Sequence, residues 1–371
     1  FAFTDWLLDQ LHKQGVEPFY RLGTTIENSH QIKAYYIYPP KDYQKWAKIC
    51  EGIIRHYNEG WADGFFYNIR YWEIWNEPDN EPEIDANPMW KGTKEEYYQL
   101  YETTACYLKT KFPSIKIGGY GSCGFYALNQ IDVSETAHSS ARVDYFLTFF
   151  EEFLQYLSSC KQKIPFDFFS WHSYAGAADN QRYAAYVREK LDSYGFTETE
   201  SILNEWNPGI EHRGTAKDAA RIAAMMCAME QSSVDCCIYY DGQVHSSYGG
   251  LFDPVHLTVF KAYDAFCAFQ QLYQLKNEVH CTVSGGTLHA CAASDGCTNA
   301  VLIANPTDND FELDCCFRFS LESKKGELFV YISDEKHDFG GEPTTLCLSA
   351  DGTGRLSIGA NSVVLLRNSR K

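Results

Sequence analysis

Short apolar runs alternate with amphipathic runs through most of the chain, and this alternation limits the possible folds more than any other feature. The short runs are bounded by turn residues, as strands are, and the longer runs repeat apolar residues at three- and four-residue steps, as helices do. The predicted strands are residues 17–23, 69–75, 114–118, 166–171, 201–203 and 235–240, and residues 24–40 are predicted as a loop. The predicted helices are residues 4–13, 41–58, 142–158, 181–193, 216–231 and 259–273. One more helix is predicted to start near Thr93, where residues 93–96 resemble a capping box. Such alternation predicts a parallel sheet covered by helices.

Six βα units are too few to close a (β/α)8 barrel. The chain opens on the predicted helix at residues 4–13, as though one βα unit and a further strand were missing ahead of Phe1. We therefore predict an α/β fold, a (β/α)8 TIM barrel that lacks its first one to two strands, and we expect the chain to be a fragment of a longer polypeptide. An incomplete barrel is the alternative.

The pattern changes from about residue 276 onward. Short runs of alternating polarity then lie between Gly, Asn and Asp turns, at residues 300–304, 312–317, 327–332, 344–348 and 362–366. This texture is typical of an all-β module, and a sandwich is the expected arrangement. We predict a catalytic barrel domain over residues 1–274, incomplete at its N-terminus, and a β-sandwich accessory domain over residues 275–371.

Two predicted strands end in the same way, with an Asn-Glu pair followed by a Pro break. Residues 69–75 lead into Glu77, and residues 201–203 lead into Glu205. Proline cannot continue a strand ladder, so both glutamates are expected at the carboxyl ends of strands, where parallel barrels place their catalytic groups. For either motif alone, a glutamate that merely caps a turn is the alternative.

The composition excludes two classes of partner and indicates a compartment. A formal net charge of −17 leaves no basic patch for nucleic acid or an anionic membrane. The 14 cysteines include the adjacent pairs Cys236-Cys237 and Cys315-Cys316, and their spacing matches no zinc or C-x-x-C pattern. We interpret them as reduced, buried thiols, which predicts a cytoplasmic protein.

Three motifs together resemble glycoside hydrolase family 39: Trp-Asn-Glu-Pro at residues 75–78, Phe-Ser-Trp-His-Ser-Tyr at residues 169–174 and Asn-Glu-Trp-Asn at residues 204–207. That family belongs to the clan of retaining (β/α)8-barrel glycosidases, includes β-xylosidases and α-L-iduronidases, and carries a β-sandwich alongside the barrel. The resemblance implies that Glu77, after the fourth barrel strand, is the acid/base, and that Glu205, after the seventh, is the nucleophile.

The resemblance and the sequence around the motifs also suggest substrate-binding residues. Asn76 resembles the clan asparagine that hydrogen-bonds the sugar 2-hydroxyl, and Tyr174 is positioned to orient the nucleophile. His172 donates to the sugar or is a structural histidine, and Trp206 stacks on a sugar face or packs in the core. The eighth-strand region departs from the better-known members, and there Asp241 is either a substrate contact or a turn residue. The acid needs a raised pKa, which nearby tryptophans and a second carboxylate would supply.

The predicted function is a retaining glycosidase that cleaves a terminal sugar from an oligosaccharide or glycoside with no metal or other cofactor. The sequence leaves open whether it forms a homo-oligomer. A carbohydrate-binding pseudo-enzyme with an incomplete barrel is one alternative, and a metal-dependent hydrolase on the same scaffold is another. Residues 119–124 match the Gly-x-Gly-x-x-Gly dinucleotide pattern, but no clear helix follows, so we interpret them as a barrel loop.

Overall fold

The computed structural model describes residues 1–27, 33–129, 140–244, 248–284, 287–318 and 326–370. Helices and strands alternate first, in the order α1 (Ala2–Lys13), β1 (Phe19–Leu22), β2 (Thr25–Glu27), β3 (Lys33–Tyr35), α2 (Tyr43–Glu59), β4 (Tyr71–Ile74), α3 (Lys94–Lys111), β5 (Lys116–Ser122), α4 (Ser140–Ser159), β6 (Phe168–Ser173), α5 (Ala177–Ser193), β7 (Glu200–Trp206), α6 (Ala216–Glu230), β8 (Cys236–Tyr239) and α7 (Lys261–Tyr273). The strands that follow are β9 (Asn277–Val279), β10 (His289–Ser294), β11 (Asn299–Asn305), β12 (Phe311–Cys316), β13 (Glu327–Ser333), β14 (Thr344–Cys347), β15 (Thr353–Ile358) and β16 (Ser362–Arg367).

Six strands form one sheet in the order β1-β4-β5-β6-β7-β8. The pairs β1–β4, β4–β5 and β5–β6 are parallel. All six overlap the strands predicted from the sequence. Strands that are covered on both faces are continuous apolar runs and can therefore be recognised in a sequence. In β6, for example, every residue is buried. The predicted α/β, barrel-like fold is therefore confirmed.

The prediction of a loop over residues 24–40 is wrong in part. Within it, β2 and β3 pair as a two-stranded antiparallel ribbon, with Thr25 opposite Tyr35. Strands of three residues are too short to show an alternating pattern in the sequence, which is why the ribbon was missed.

Two helices show how local sequence sets the boundaries. The hydroxyl of Thr93 accepts from the backbone N–H of Glu96 at 3.2 Å, and the Glu96 carboxylate accepts from the N–H of Thr93 at 2.8 Å. This capping box, predicted from the sequence, starts α3. Helix α2 starts after Asp42, whose side chain accepts from the N–H of Lys45, and ends at Gly60 with φ of +73°, a conformation that favours glycine.

The structure divides into two compact units. The first comprises Phe1–Ser173, Tyr183–Glu205 and Val234–Ile238, and the second comprises Tyr174–Arg182, Trp206–Ser233 and Tyr239–Lys371. Within the second unit, α6 and α7 pack against β10, β11 and β16. These units differ from the two domains predicted from the sequence, whose boundary lies after residue 274. The division into a catalytic and an accessory domain stays a prediction.

The C-terminal strands of the second unit form two antiparallel sheets. The larger has the order β14-β13-β16-β11-β10-β9, and the smaller pairs β12 with β15. Side chains from both sheets share one apolar cluster, which includes Val330 and Val364 from the larger sheet and Leu356 and Ile358 from the smaller. All five strands predicted in this region are present, and β9, β10 and β15 are additional.

All 14 cysteines are free thiols. The expectation that they are buried is wrong for five of them, which are exposed: Cys236, Cys237, Cys297, Cys316 and Cys347. Two of these lie on β8, the last strand in the order of the parallel sheet, where a strand is covered on fewer sides. Among the described residues, no helix has both the length and the apolar character needed to cross a membrane.

Candidate active site

The backbone after β4 adopts an unusual conformation at the first predicted catalytic residue. Trp75 and Glu77 have φ angles of +75° and +48°. Non-glycine residues adopt this left-handed region only at a cost of about 1–3 kcal/mol, and such residues concentrate at functional sites. The N–H of Glu77 donates to the carbonyl of Tyr120, on β5, at 3.1 Å. The turn that carries Glu77 is thus fixed against the neighbouring strand.

Glu77 and Glu205, which are far apart in the sequence, meet around one imidazole. Nδ1 of His172, on β6, lies 2.8 Å from Oε1 of Glu77 and 3.5 Å from Oε2 of Glu205. One oxygen of each carboxylate and a ring nitrogen all lie within 4.8 Å of one another. The imidazole is buried, whereas the Glu77 and Glu205 side chains are 17% and 12% exposed. We assign no metal to this group, and the expectation of a cofactor-independent protein stays a prediction.

The pKa of Glu77 lies below its ordinary value, opposite to the direction expected for a general acid. Burial raises this pKa, but the hydrogen bond and charge of His172, the hydrogen bond from Asn80 and the charge of Arg21 outweigh it. For His172, burial lowers the pKa, yet the charge of Glu205 and the contact with Glu77 outweigh burial, and the net pKa is raised. The expectation that tryptophans raise the pKa of Glu77 is therefore wrong for the site without substrate, because the imidazole of His172 contacts this carboxylate.

A chain of hydrogen bonds holds the other oxygen of Glu77. The Asn80 amide Nδ2 donates to Oε2 of Glu77 at 3.0 Å. Arg142, on α4, donates to the backbone carbonyl and the side-chain Oδ1 of Asn80 at 2.6 and 2.9 Å. Because a guanidinium only donates, it fixes which end of the Asn80 amide faces Glu77. Arg142 thus orients the carboxylate through Asn80.

Asp79 is a further buried carboxyl beside Glu77. It accepts from the hydroxyl of Ser122 at 2.8 Å and from the N–H of Cys123 at 3.2 Å. Burial is the main reason that the pKa of Asp79 is raised to about 7, and the nearby charge of Glu77 adds to the effect. Asp79 therefore changes charge near neutral pH within two residues of a candidate catalytic group.

A fourth carboxyl group, that of Glu73, lies inside the sheet and connects four strands. It is fully buried, forms an ion pair with Arg21, and accepts from the Ser170 hydroxyl at 2.6 Å and the Asn204 amide at 2.8 Å. Neighbouring strands lie about 4.8 Å apart, so β4 and β7 would be roughly 14 Å apart in a flat sheet. The contact between Glu73 and Asn204 is possible only because the sheet curls as a barrel wall does.

Asn76 is a predicted substrate-binding residue that lies, like His172, in the first unit. Its amide is 1% exposed, and within the described part of the chain neither its oxygen nor its nitrogen has a hydrogen-bond partner. A Cβ at Gly121, where φ is +64°, would lie 2.9 Å from Oδ1 of Asn76 and 3.0 Å from Nε2 of His172. A glycine is thus required where β5 approaches these groups.

The remaining predicted site residues lie in the second unit. Tyr174 stacks with Tyr248 at 6.5 Å between ring centroids. Trp206 is buried, and its indole N–H has no hydrogen-bond partner among the described residues. Asp241 is buried and accepts from the N–H of Gln243 at 3.2 Å, as in an Asx turn. A turn role for Asp241 is therefore present, and the substrate roles of all three residues stay predictions.

Sequence reasoning missed Arg21, Glu73, Asn80 and Arg142. Two of these carried a signal, since Arg21 and Glu73 are charged residues within apolar strands, and a buried charge requires a partner. Asn80 lies in a loop and Arg142 lies on α4, and neither carries a local sign of its partner, so only the folded chain shows their contacts. The prediction of a loop over the Gly-x-Gly-x-x-Gly stretch is wrong in part, because residues 119–122 lie in β5 and only residues 123–124 follow it. The stretch opens no α-helix at its last glycine, where the short 3-10 helix Tyr126–Asn129 follows instead.

A curled, helix-covered parallel sheet with two carboxylates and an imidazole at its strand ends defines a barrel-like α/β protein with a candidate acid–base site. The sequence profile described as Glycosyl hydrolases family 39 matches residues 1–237. The chain belongs to this family.

Two relatives in sequence agree with the assignment. A β-xylosidase of Geobacillus stearothermophilus is 27% identical over 201 residues, which are 52% of this chain and 34% of that protein. A β-xylosidase of Caldicellulosiruptor saccharolyticus is 25% identical over 47% of this chain and 31% of its own length. The aligned regions thus span about a third of these relatives.

Two solved structures share the fold over nearly the whole chain. A glucosidase from Croceicoccus marinus has a TM-score of 0.74 and 23% identity, over 98% of this chain and 81% of the other. A monomeric β-xylosidase from Caulobacter crescentus CB15 has a TM-score of 0.68 and 18% identity, over 98% and 83%. At these identities the likeness shows the fold alone.

Proposed function

We propose that the chain carries the active site of a retaining glycoside hydrolase that removes a terminal sugar from oligosaccharides or glycosides. The observation that supports this is the approach of a Glu77 oxygen to a Glu205 oxygen within 4.8 Å. Inverting enzymes need space for a water and separate their carboxyl groups by about 6.5–9.5 Å, whereas retaining enzymes separate them by about 5–5.5 Å. The short separation favours double displacement.

In the first step, Glu205 attacks the anomeric carbon while the bond from that carbon to the leaving oxygen breaks. Glu77 gives its proton to the leaving oxygen, and Glu205 becomes an ester of the sugar. Because the pKa of Glu77 is lowered in the free site, the proton must be gained as substrate binds. A sugar that excludes water and weakens the contact with His172 would raise this pKa.

In the second step, Glu77 takes a proton from a water molecule, and the oxygen of that water attacks the anomeric carbon while the bond between this carbon and Glu205 breaks. The hydrogen bonds from His172 and Asn80 that lower the pKa of Glu77 favour this base form. Asn76 supplies a buried amide whose two polar atoms have no partner among the described residues, which suits a sugar hydroxyl.

We extend the proposal to specificity, fold and compartment. The names of both relatives favour a β-xylosidase-like activity. We infer that the six parallel strands are the third to eighth of a (β/α)8 barrel, that the C-terminal sheets form a β-sandwich accessory domain, and that the free thiols suit the cytoplasm.

The test is hydrolysis of aryl xyloside, arabinoside, glucoside, galactoside, iduronide and glucuronide by the chain and by single variants. We expect Glu205→Gln to abolish turnover of the accepted sugar. Glu77→Gln should slow release of a poor leaving group by about 10²–10⁴-fold, and should slow an activated leaving group much less, because the latter needs no proton. Glu95→Gln, at an exposed position in the first turn of α3, is the control.

The stereochemistry of the first product, followed by NMR, tests the retaining step directly. Full activity in Glu205→Gln would refute the mechanism. Binding of a xylo-oligosaccharide without turnover would instead favour the carbohydrate-binding pseudo-enzyme.

A further inference from the structure

Arg21 and Glu73 form an ion pair next to His172, which contacts the candidate catalytic residues. They face each other in the register of β1 and β4, so their side chains share one face of the sheet. Glu73 accepts from the Nε of Arg21 and is held on its other oxygen by Ser170 and Asn204. The guanidinium is therefore anchored at one end from three strands besides its own.

The free end of this guanidinium faces the imidazole. Nη2 of Arg21 lies 3.5 Å from Nε2 of His172. A guanidinium is a donor only, so this approach is favourable when Nε2 has a lone pair and unfavourable when Nε2 carries a proton. The single proton of a neutral His172 then lies on Nδ1, the atom that is 2.8 Å from Glu77 and 3.5 Å from Glu205.

We propose that Arg21, anchored by Glu73, is a positioning residue that keeps Nε2 of His172 free of a proton, so that the ring proton on Nδ1 faces the two catalytic carboxylates. The groups that face this imidazole are Glu77, from the turn after β4, Glu205, from β7, and Arg21, from β1. The two carboxylates favour a second proton on the ring, and Arg21 opposes it.

The consequence for catalysis rests on the proposed function. A neutral His172 gives Glu77 one hydrogen bond, which a substrate can displace. An imidazolium would form an ion pair with the carboxylate and hold it ionised, which opposes the uptake of the proton needed in the first step. The two carboxylates leave the pKa of His172 raised overall, and Arg21 limits that rise and so limits the imidazolium form that would hold Glu77 ionised. The charge of Arg21 also lowers the pKa of Glu77 directly, so the main test variant removes it together with the opposite charge of Glu73.

The protonation of His172 can be measured without any substrate. Correlation spectra of protein labelled with ¹⁵N-histidine distinguish the Nδ1–H tautomer, the Nε2–H tautomer and the imidazolium, and the signals are assigned by their loss in His172→Asn. We expect the Nδ1–H tautomer in the unsubstituted protein once the ring is neutral. In Arg21→Gln combined with Glu73→Gln, which neutralises both partners, Nε2 should keep its proton to a pH higher by about one unit or more.

Two further variants distinguish a positioning role of Arg21 from a general loss of structure. Arg21→Lys keeps a cation beside Glu73 but has no second nitrogen to reach His172, so it should weaken the preference for Nδ1–H. Arg70→Gln combined with Glu17→Gln removes an exposed ion pair that immediately precedes β4 and β1, and should leave the His172 spectrum unchanged.

Kinetics supply a second readout. In the Arg21/Glu73 double variant, turnover of a poor leaving group should fall about tenfold or more relative to an activated one, because only the former needs the acid. An unchanged His172 spectrum in that variant would overturn the proposal, and so would an Nε2–H tautomer in the unsubstituted protein. An equal fall for both leaving groups would overturn its catalytic part. If the unsubstituted chain hydrolyses no glycoside, the proposed function fails, and the NMR result still decides the role of Arg21.

Discussion

Removing the carboxylate of Glu73 is the most informative test of how the first unit is held together. Glu73→Leu deletes the acceptor for Arg21, Ser170 and Asn204 at once, and it leaves the buried Ser170 and Asn204 donors without this partner, whereas the Arg21 side chain is 28% exposed. Breaking a buried pair by removing one partner costs about 3–5 kcal/mol. Glu205 also faces the positive charge of Arg21, so we expect the lower end, about 3 kcal/mol of unfolding free energy.

The measurement is urea-induced unfolding followed by tryptophan fluorescence and circular dichroism. Glu17→Leu is the matched control, because Glu17 forms a two-bond ion pair with Arg70 beside the same two strands, with each bond 2.6 Å long, but at an exposed position. Exposed pairs contribute little, so this variant should unfold like the unsubstituted protein. A loss in Glu73→Leu below about 1 kcal/mol, or one equal to that of the control, would refute the view that this carboxylate ties the sheet together.

Three other predictions concern the site. Asn80→Ala removes a hydrogen bond that lowers the pKa of Glu77, so the alkaline limb of the pH profile of kcat/KM should move to higher pH; a shift to lower pH would contradict this. Gly121→Ala places a methyl group 2.9 Å from Oδ1 of Asn76, and should lower kcat/KM at least about tenfold while near-ultraviolet circular dichroism keeps its shape. Asp79 has a folded-state pKa raised to about 7, so it binds its proton more tightly when folded, and its contribution to stability is lost as pH rises from about 4 to about 7. Asp79→Asn should therefore lose less stability over that range, and an unchanged slope in urea titrations would count against the assignment.

The sequence by itself determined the kind of elements and their order. Apolar periodicity located each of the six strands of the parallel sheet and each of the seven α-helices in the described chain, because burial on both faces of a strand or along one face of a helix leaves a repeat that can be read directly. Capping chemistry is equally local, and Thr93 with Glu96 therefore gave the start of α3 correctly.

The sequence also pointed to the two glutamates, because each is part of an Asn-Glu pair that ends a predicted strand and is followed by a proline within three residues. The distance between the two glutamates could not be predicted from the sequence. It depends on how far the sheet curls between β4 and β7, which is a property of many side chains packed together.

Only the tertiary structure decided what surrounds the glutamates. The sequence suggested tryptophans around Glu77, and the structure places His172 there instead, which reverses the direction of the pKa shift. Arg21 and Glu73 are visible in the sequence only as charges in apolar strands. A charged residue inside an apolar strand indicates that a partner is needed. Strand register and sheet curvature determine which residue that partner is, and both depend on contacts between residues far apart in the chain.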